Sequence, residues 1–427
     1  MANLQFKCPC CGGTLSFDNK SQEVVCPYCD SHFATEDLNN YNEDLQSDKQ
    51  EDTSWDQSRV EEYTSAEMKG MKIYSCDSCG GEIIVEETCS STSCPYCGNN
   101  LVVSKELSGD LKPNYVIPFK NDKAKVEEVL KNFFKKKPLL PGSFSKENVI
   151  EEIKPLYVPF WIFGADVDGK VRFKGEIVRR WSDANYDYVE TKYYSLVREG
   201  CIAFDHVPVD GSIKMEDKLM ESIEPYDFSE AVTFNVAYLA GFAADRYDVG
   251  SDETFNRATQ RFRDGTIQAF RNDISGYSNV MYQDSNLQFS NTKAEYALYP
   301  VWILNTKWRE KNYRFAVNGQ TNKIAGDLPV SGGKFFLFWM LFFLLIGGAI
   351  TGIGAALDYF VPGLIAGLII GAAVSTIILL AMRKKNKNVA FQYGASAYVR
   401  EGSYHIHNRK DIYLYRNISK TRRANNK

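Results

Sequence analysis

Two runs of 23 residues carry no charge at all, residues 335–357 and 360–382, and only Asp358 and Tyr359 stand between them. A helix needs about 20 apolar residues to cross a hydrocarbon core about 30 Å thick, so each run predicts a membrane span. A two-residue connection forces the spans into a tight helical hairpin, expected over 334–383 with Pro362 and Gly363 just inside its second helix. Lys334 precedes the first run, while Arg383, Lys384, Lys385 and Lys387 follow the second. Basic flanks belong on the cytoplasmic side. The chain therefore reads as a two-span protein of the cell membrane with both termini in the cytoplasm. Small residues recur every fourth position, Gly348, Gly352 and Ala356 in one run and Gly363, Gly367 and Gly371 in the other, which predicts close backbone packing. Neither run holds an ionisable group, so a pore or proton relay has no candidate residue and an anchor is the simplest role.

At the other end, eight cysteines form two sets of the same spacing, Cys8/Cys11/Cys26/Cys29 and Cys76/Cys79/Cys94/Cys97, displaced by 68 residues. Each set has the C-x2-C…C-x2-C order of a zinc ribbon, in which two tight turns supply two thiolates apiece. The duplication extends past the ligands, since Gly12-Gly13 recurs as Gly80-Gly81 and Pro27-Tyr28 as Pro95-Tyr96. Cys10 and Cys89 would align with Ser78 and Ser21, so both are expected to be bystanders. All-sulfur sets select zinc over magnesium or calcium, which predicts two structural Zn2+ sites. A ribbon is too small for a sufficient core, so the metal should supply most of its folding free energy, on the order of 10 kcal/mol. No secretory leader pattern precedes Cys8, and reduced thiols agree with a cytoplasmic location.

The formal charge of −4 conceals a polarity along the chain. Residues 36–70 carry eleven acidic and three basic side chains, which reads as a solvated, disordered linker between a first ribbon at 1–35 and a second at 71–105. Residues 384–427, by contrast, form a basic tail suited to anionic headgroups. Stretches of that tail around Tyr398, Tyr404–Ile406 and 412–415 alternate like strands, so part of it should fold back onto the central domain, leaving 420–427 free.

Between them lies a central α+β domain at 106–333. Residues 122–136 place Val126, Leu130 and Phe134 at helical spacing, Ser145 is a candidate cap for a second helix, and a longer helix is expected from Asp252 to about Asp273. Residues 170–178 and 186–209 read as strands. Two segments resemble each other, 156–162 (LYVPFWI) and 298–303 (LYPVWI), and both are expected to be buried strands. The fold class is thus multidomain: two small zinc ribbons, a central α+β domain, and a two-helix transmembrane hairpin with a short β-rich tail.

Catalytic groupings are scarce. His32, His206, His405 and His407 are scattered, Cys201 stands alone in an apolar pattern, and the nucleophile-elbow and phosphate-loop patterns are missing from the sequence. The expectation is a protein that is not an enzyme.

With its paired ribbons, its Tyr157-x-Pro159-Phe160-Trp161 segment, the Tyr238-Leu239-Ala240-Gly241-Phe242 run and the Val317-Asn318-Gly319-Gln320-Thr321 turn ahead of the apolar pair, the chain resembles a family of bacterial membrane proteins with transcription-factor-IIB-type zinc ribbons. The resemblance implies a non-enzymatic protein working beside stomatin/flotillin-like (SPFH) proteins and relatives of phage-shock protein A, which guard the envelope under stress. Some of that family carry replication-related labels, so a membrane-tethered nucleic-acid-binding protein is the alternative. Residues 1–35 hold Lys7 and Lys20 against Asp18, Glu23 and Asp30, and residues 71–105 hold two lysines against four acids. Phosphate contacts supply most nucleic-acid affinity, so net acidic ribbons argue for protein partners instead. The expected function is a membrane-anchored adaptor that recruits cytosolic proteins, with lipid contacts through the hairpin and basic tail and homo-oligomerisation left open.

Overall fold

The computed structural model of the chain describes residues 7–10, 13–19, 21–46, 55–58, 60–64, 71–86, 93–99, 101–106, 110–146, 153–309, 311–389 and 394–423. A small antiparallel sheet comes first, β1 (Ser16–Asp18), β2 (Glu23–Val25) and β3 (His32–Phe33), followed by α1 (Thr35–Gln46). A second small set, β4 (Met71–Ser75), β5 (Glu82–Glu86) and β6 (Val102–Glu106), is arranged with β4 in the middle. Helix α2 (Lys123–Lys135) is capped by Asp122, whose carboxylate accepts from the Lys125 N–H at 2.8 Å.

The frame of the molecule is three very long strands. β7 (Lys154–Ser182) pairs with β8 (Tyr186–Asp210) on one side and with β10 (Asn279–Trp308) on the other. The unbroken apolar start of β7 is explained by burial on both faces. Its residues alternate between two cores: Tyr157, Trp161, Phe163 and Ala165 face one, while Leu156, Val158, Phe160 and Ile162 face the other. The first core is closed by α3 (Ser251–Asn272), which buries Ala258, Phe262 and Phe270. The two similar segments of the sequence turn out to be partners in this frame, with Leu156 opposite Val301 and Val158 opposite Tyr299. β10 then pairs with β11 (Lys311–Asn318), whose Phe315 and Val317 pack with Val126, Leu130 and Phe134 of α2 in a third core. The Asn318–Gly319 turn follows, its Asn318 carboxamide oxygen accepting from the N–H groups of Gln320 and Thr321.

Two apolar helices follow, α4 (Gly332–Ala356) and α5 (Phe360–Lys384), both long and apolar enough to cross a membrane. They lie against each other through glycines. A Cβ on Gly367 would come 2.6 Å from the Gly347 carbonyl oxygen, and one on Gly354 would come 2.7 Å from Gly363 Cα. The expected row on α5 is therefore the contact row, continued by Ser375 and Leu379. The row expected on α4 is corrected: Gly348 and Gly352 meet nothing within 4 Å, and Gly347, Thr351 and Gly354 take the contact instead. The chain then returns. β12 (His405–Arg422) pairs along β8 from Cys201↔His405 to Tyr186↔Arg422, so the tail is a full edge strand. Residues 420–422, expected to be free, belong to it.

Three boundaries move. The acidic stretch 36–70 is not simply an unstructured linker, because α1 opens it and Trp55 is packed into the first core, its ring 5.0 Å from Phe163 and 5.7 Å from Phe262. Nor is 71–105 a separate unit. A short strand, β9 (Ala243–Asp245), pairs in parallel with the start of β7 and antiparallel with β5, which joins the second cysteine module to the main sheet. The helix expected after Ser145 begins earlier, at Gly142, and its expected continuation through Val149 and Ile150 lies outside the described residues.

Candidate metal centre

In the second module, Cys76 and Cys79 sit in the turn between β4 and β5, and Cys94 and Cys97 in the turn before β6. The structure brings all four sulfurs within 4.8 Å of one another. Cys76 Sγ lies 3.4 Å from Cys97 Sγ, and Cys79 Sγ lies 3.6 Å from Cys94 Sγ. Four sulfurs on a tetrahedral ion, each about 2.3 Å from it, would be roughly 3.8 Å apart, so the thiols fit a bound metal with little movement.

The turns are built alike. Cys76 N–H donates to the Gly81 carbonyl at 3.0 Å, and Gly80 N–H donates back to the Cys76 carbonyl at 2.7 Å. Cys94 repeats this with Asn99 and Gly98. The returning donor needs a left-handed conformation, which Gly80 (φ +67°) and Gly98 (φ +79°) adopt without a Cβ clash. The second glycine of the repeated pair has a different job: a Cβ on Gly81 would come 3.0 Å from the Tyr96 ring, and one on Gly13 would come 2.5 Å from the Tyr28 ring. The recurrence of Gly-Gly with Pro-Tyr is thus one steric match made twice.

Electrostatics separate the thiols. At Cys76 the cost of burial is outweighed by hydrogen bonds from the backbone N–H groups of Cys79 and Ser78 and from neighbouring thiols, which bring it down to about 7. Burial dominates at Cys79 and Cys94 and pushes both up. A cation among the sulfurs would replace these protons with a single shared charge.

The turns of the first module repeat these bonds, Cys8 N–H donating to the Gly13 carbonyl at 2.7 Å and Cys26 N–H to the Ser31 carbonyl at 3.0 Å, but among the described residues its thiols are grouped differently. Its close group is Cys8, Cys10 and Cys29, with Cys8 Sγ 3.6 Å from Cys29 Sγ. Cys10, expected as a bystander, is drawn in and donates its N–H to Cys8 Sγ at 3.4 Å. Cys26 is fully buried with Cys8, Phe33 and Leu38 in a small core, while Cys11 and Cys89 lie outside the described residues. This module rests on the returning tail, where the Phe33 ring meets Tyr415 edge-on at 5.8 Å.

Sequence reasoning missed the groups that hold the second module from outside. Lys154 Nζ donates to Ser93 Oγ at 2.5 Å, and Asn305 Nδ2 donates to the carbonyl oxygens of Pro95 and Tyr96, both at 2.7 Å. Neither carries a local signal, since both belong to strands distant in sequence. Among the histidines, His206 stacks on Phe228 at 3.8 Å, and burial lowers its pKa. His405 and His407 are exposed on one face of β12, and Cys201 is half-buried.

A comparison with curated proteins finds the uncharacterized protein YdjG of Bacillus subtilis (strain 168), 34% identical over 233 residues, which are 55% of this chain and 68% of YdjG. The chain belongs to the YdjG family. No family model matches it, and no solved structure does. Membership in the YdjG family thus rests on a long aligned stretch.

Proposed function

We propose that this member of the YdjG family is a membrane-anchored zinc-ribbon adaptor that recruits cytosolic proteins to the cytoplasmic membrane, with phage-shock protein A-like or SPFH-like proteins as the partner class. The observation that carries the proposal is the four-thiol group at Cys76, Cys79, Cys94 and Cys97 on the same folded unit as α4 and α5. An all-cysteine set of four leaves no open coordination position, so zinc there is a structural cross-link rather than a reactive centre. Lys334 and the basic residues from Arg383 to Lys387 flank the shared end of α4 and α5. That end faces the cytoplasm under the positive-inside rule, and the sheet domain with both modules stands on that side.

The first module supplies a capture face. Phe17 is 51% exposed and Tyr28 72% exposed, apolar surface on a small rigid support with net acidic charge. Exposed aromatic residues suit protein contact, and the charge disfavours nucleic acid. The test is co-purification of the full chain from mild detergent, with the phage-shock protein A-like and SPFH-like proteins quantified by mass spectrometry. F17S, which leaves the Gly13–Tyr28 contact in place, should lose them while keeping about two zinc ions per chain. Equal recovery with wild type and variant would remove the capture role, and fewer than about one zinc would remove the ribbon assignment.

A further inference from the structure

A cavity of about 420 Å³ opens at the base of the sheet domain, where α4 begins and α5 ends. Its floor is apolar, made by Leu328, Pro329 and Val330 just ahead of α4. That segment is tied to the end of α5, since Leu328 N–H donates to the Asn386 carbonyl at 3.1 Å. Two walls carry the charge: Arg309 and Lys311 from the tip of the β10–β11 hairpin, and Arg383 and Lys387 from the end of α5. Among the described residues the lining thus has four cations and no carboxylate. Among the described residues none of the four forms an ion pair, whereas nearby Lys334 and Lys137 each donate to a backbone carbonyl, of Leu140 and Lys385 respectively.

Four like charges brought to one exposed cavity raise the local positive potential, which favours an anionic ligand there. Arg309 lies over the Trp308 ring at 4.6 Å, which orients the guanidinium while leaving its N–H edges for an oxyanion. Trp308 and Tyr313 also line the cavity. Such amphipathic rings favour the headgroup level of a bilayer.

We propose that this cavity binds the phosphate of an anionic phospholipid, with the headgroup between the hairpin tip and the end of α5 and the glycerol side against the apolar floor. The inference rests on the membrane reading above. The shared chemistry is a phosphate anion, and the experiment separates a lipid source from a free one.

The full chain in neutral detergent would be titrated with short-chain phosphatidylglycerol, phosphatidylcholine and inorganic phosphate, and bound lipid counted by native mass spectrometry. The expected result is preferential retention of phosphatidylglycerol, with apparent affinity falling roughly ten-fold in R309Q/K311Q. R179Q/R180Q, an equal charge loss in the β7–β8 hairpin, should bind as wild type does, and R309K/K311R should keep the preference. Equal binding of the two lipids, or an unchanged R309Q/K311Q, would overturn the proposal. Displacement of the lipid by inorganic phosphate at equal concentration would overturn the lipid assignment. Carbonate extraction of cell membranes tests the anchor separately: release of the chain would defeat the membrane reading whatever the detergent titration gives.

Discussion

Asn305 and Tyr96 are joined by a 2.7 Å hydrogen bond from the Asn305 carboxamide to the Tyr96 carbonyl, which fixes a cysteine turn to one of the long strands of the frame. The same carboxamide reaches Pro95, and its oxygen accepts from Arg314 Nε at 3.0 Å. Replacing Asn305 with Leu strands two carbonyls and a guanidinium donor. The expected cost is about 1–3 kcal/mol, with faster loss of zinc to a chelator read by a colorimetric metal indicator.

The steric match in the turns predicts a graded pair of variants. Gly80→Ala should cost about 1–2 kcal/mol, because a Cβ is placed in a left-handed conformation. Gly81→Val should cost more and displace the Tyr96 ring. Thermal unfolding of the zinc-loaded chain orders the two, and equal stability of Gly81→Val and wild type would remove the match.

The contact rows of α4 and α5 differ in tolerance. Gly367→Leu drives a side chain into the Gly347 carbonyl and should destabilise the helix pair by roughly 1–3 kcal/mol. Gly352→Leu points into open space and should be neutral. The Trp339 indole, which donates to Thr376 across the pair at 3.0 Å, gives a fluorescence signal for the separation.

Burial raises the Asp245 carboxyl from 3.8 to about 7, partly offset by the Ser212 hydroxyl donating to it at 2.5 Å. The folded state therefore holds a proton that the unfolded state releases above about 4, so this group's contribution declines as pH rises and levels off above about 7. Between pH 6 and 8.5 the wild type should lose about 1–2 kcal/mol more than Asp245→Asn. Denaturant titrations of the two at several pH values measure the difference, and parallel curves would exclude it.

The apolar pair and the cysteine spacing were legible because each depends on residue type and local spacing. Helix α3 was legible for the same reason, through Phe262 and Phe270 at helical period. What stayed hidden depends on partners distant in the chain. Ala243–Asp245 is three residues long with no alternating pattern, yet it fuses the second cysteine module to the sheet. Trp55 is one aromatic in an acidic stretch, and only Phe163, Phe255 and Phe262 make it a core residue. The choice between Gly347 and Gly348 as the contact residue is a matter of helix rotation, which is set by α5. Cys10 entered the first group although the repeat offers it no counterpart, since symmetry of spacing does not enforce symmetry of packing.

Because β12 lies beyond α5 and pairs along β8, the two apolar helices interrupt a single folded unit instead of ending it. During synthesis both helices must leave the ribosome before the strand that finishes the sheet exists. Until then β8 presents an open edge, a template for pairing with the wrong chain. Completion of the domain therefore reports that the helix pair has been made, and a chain truncated anywhere inside it would carry its own signal for aggregation and removal.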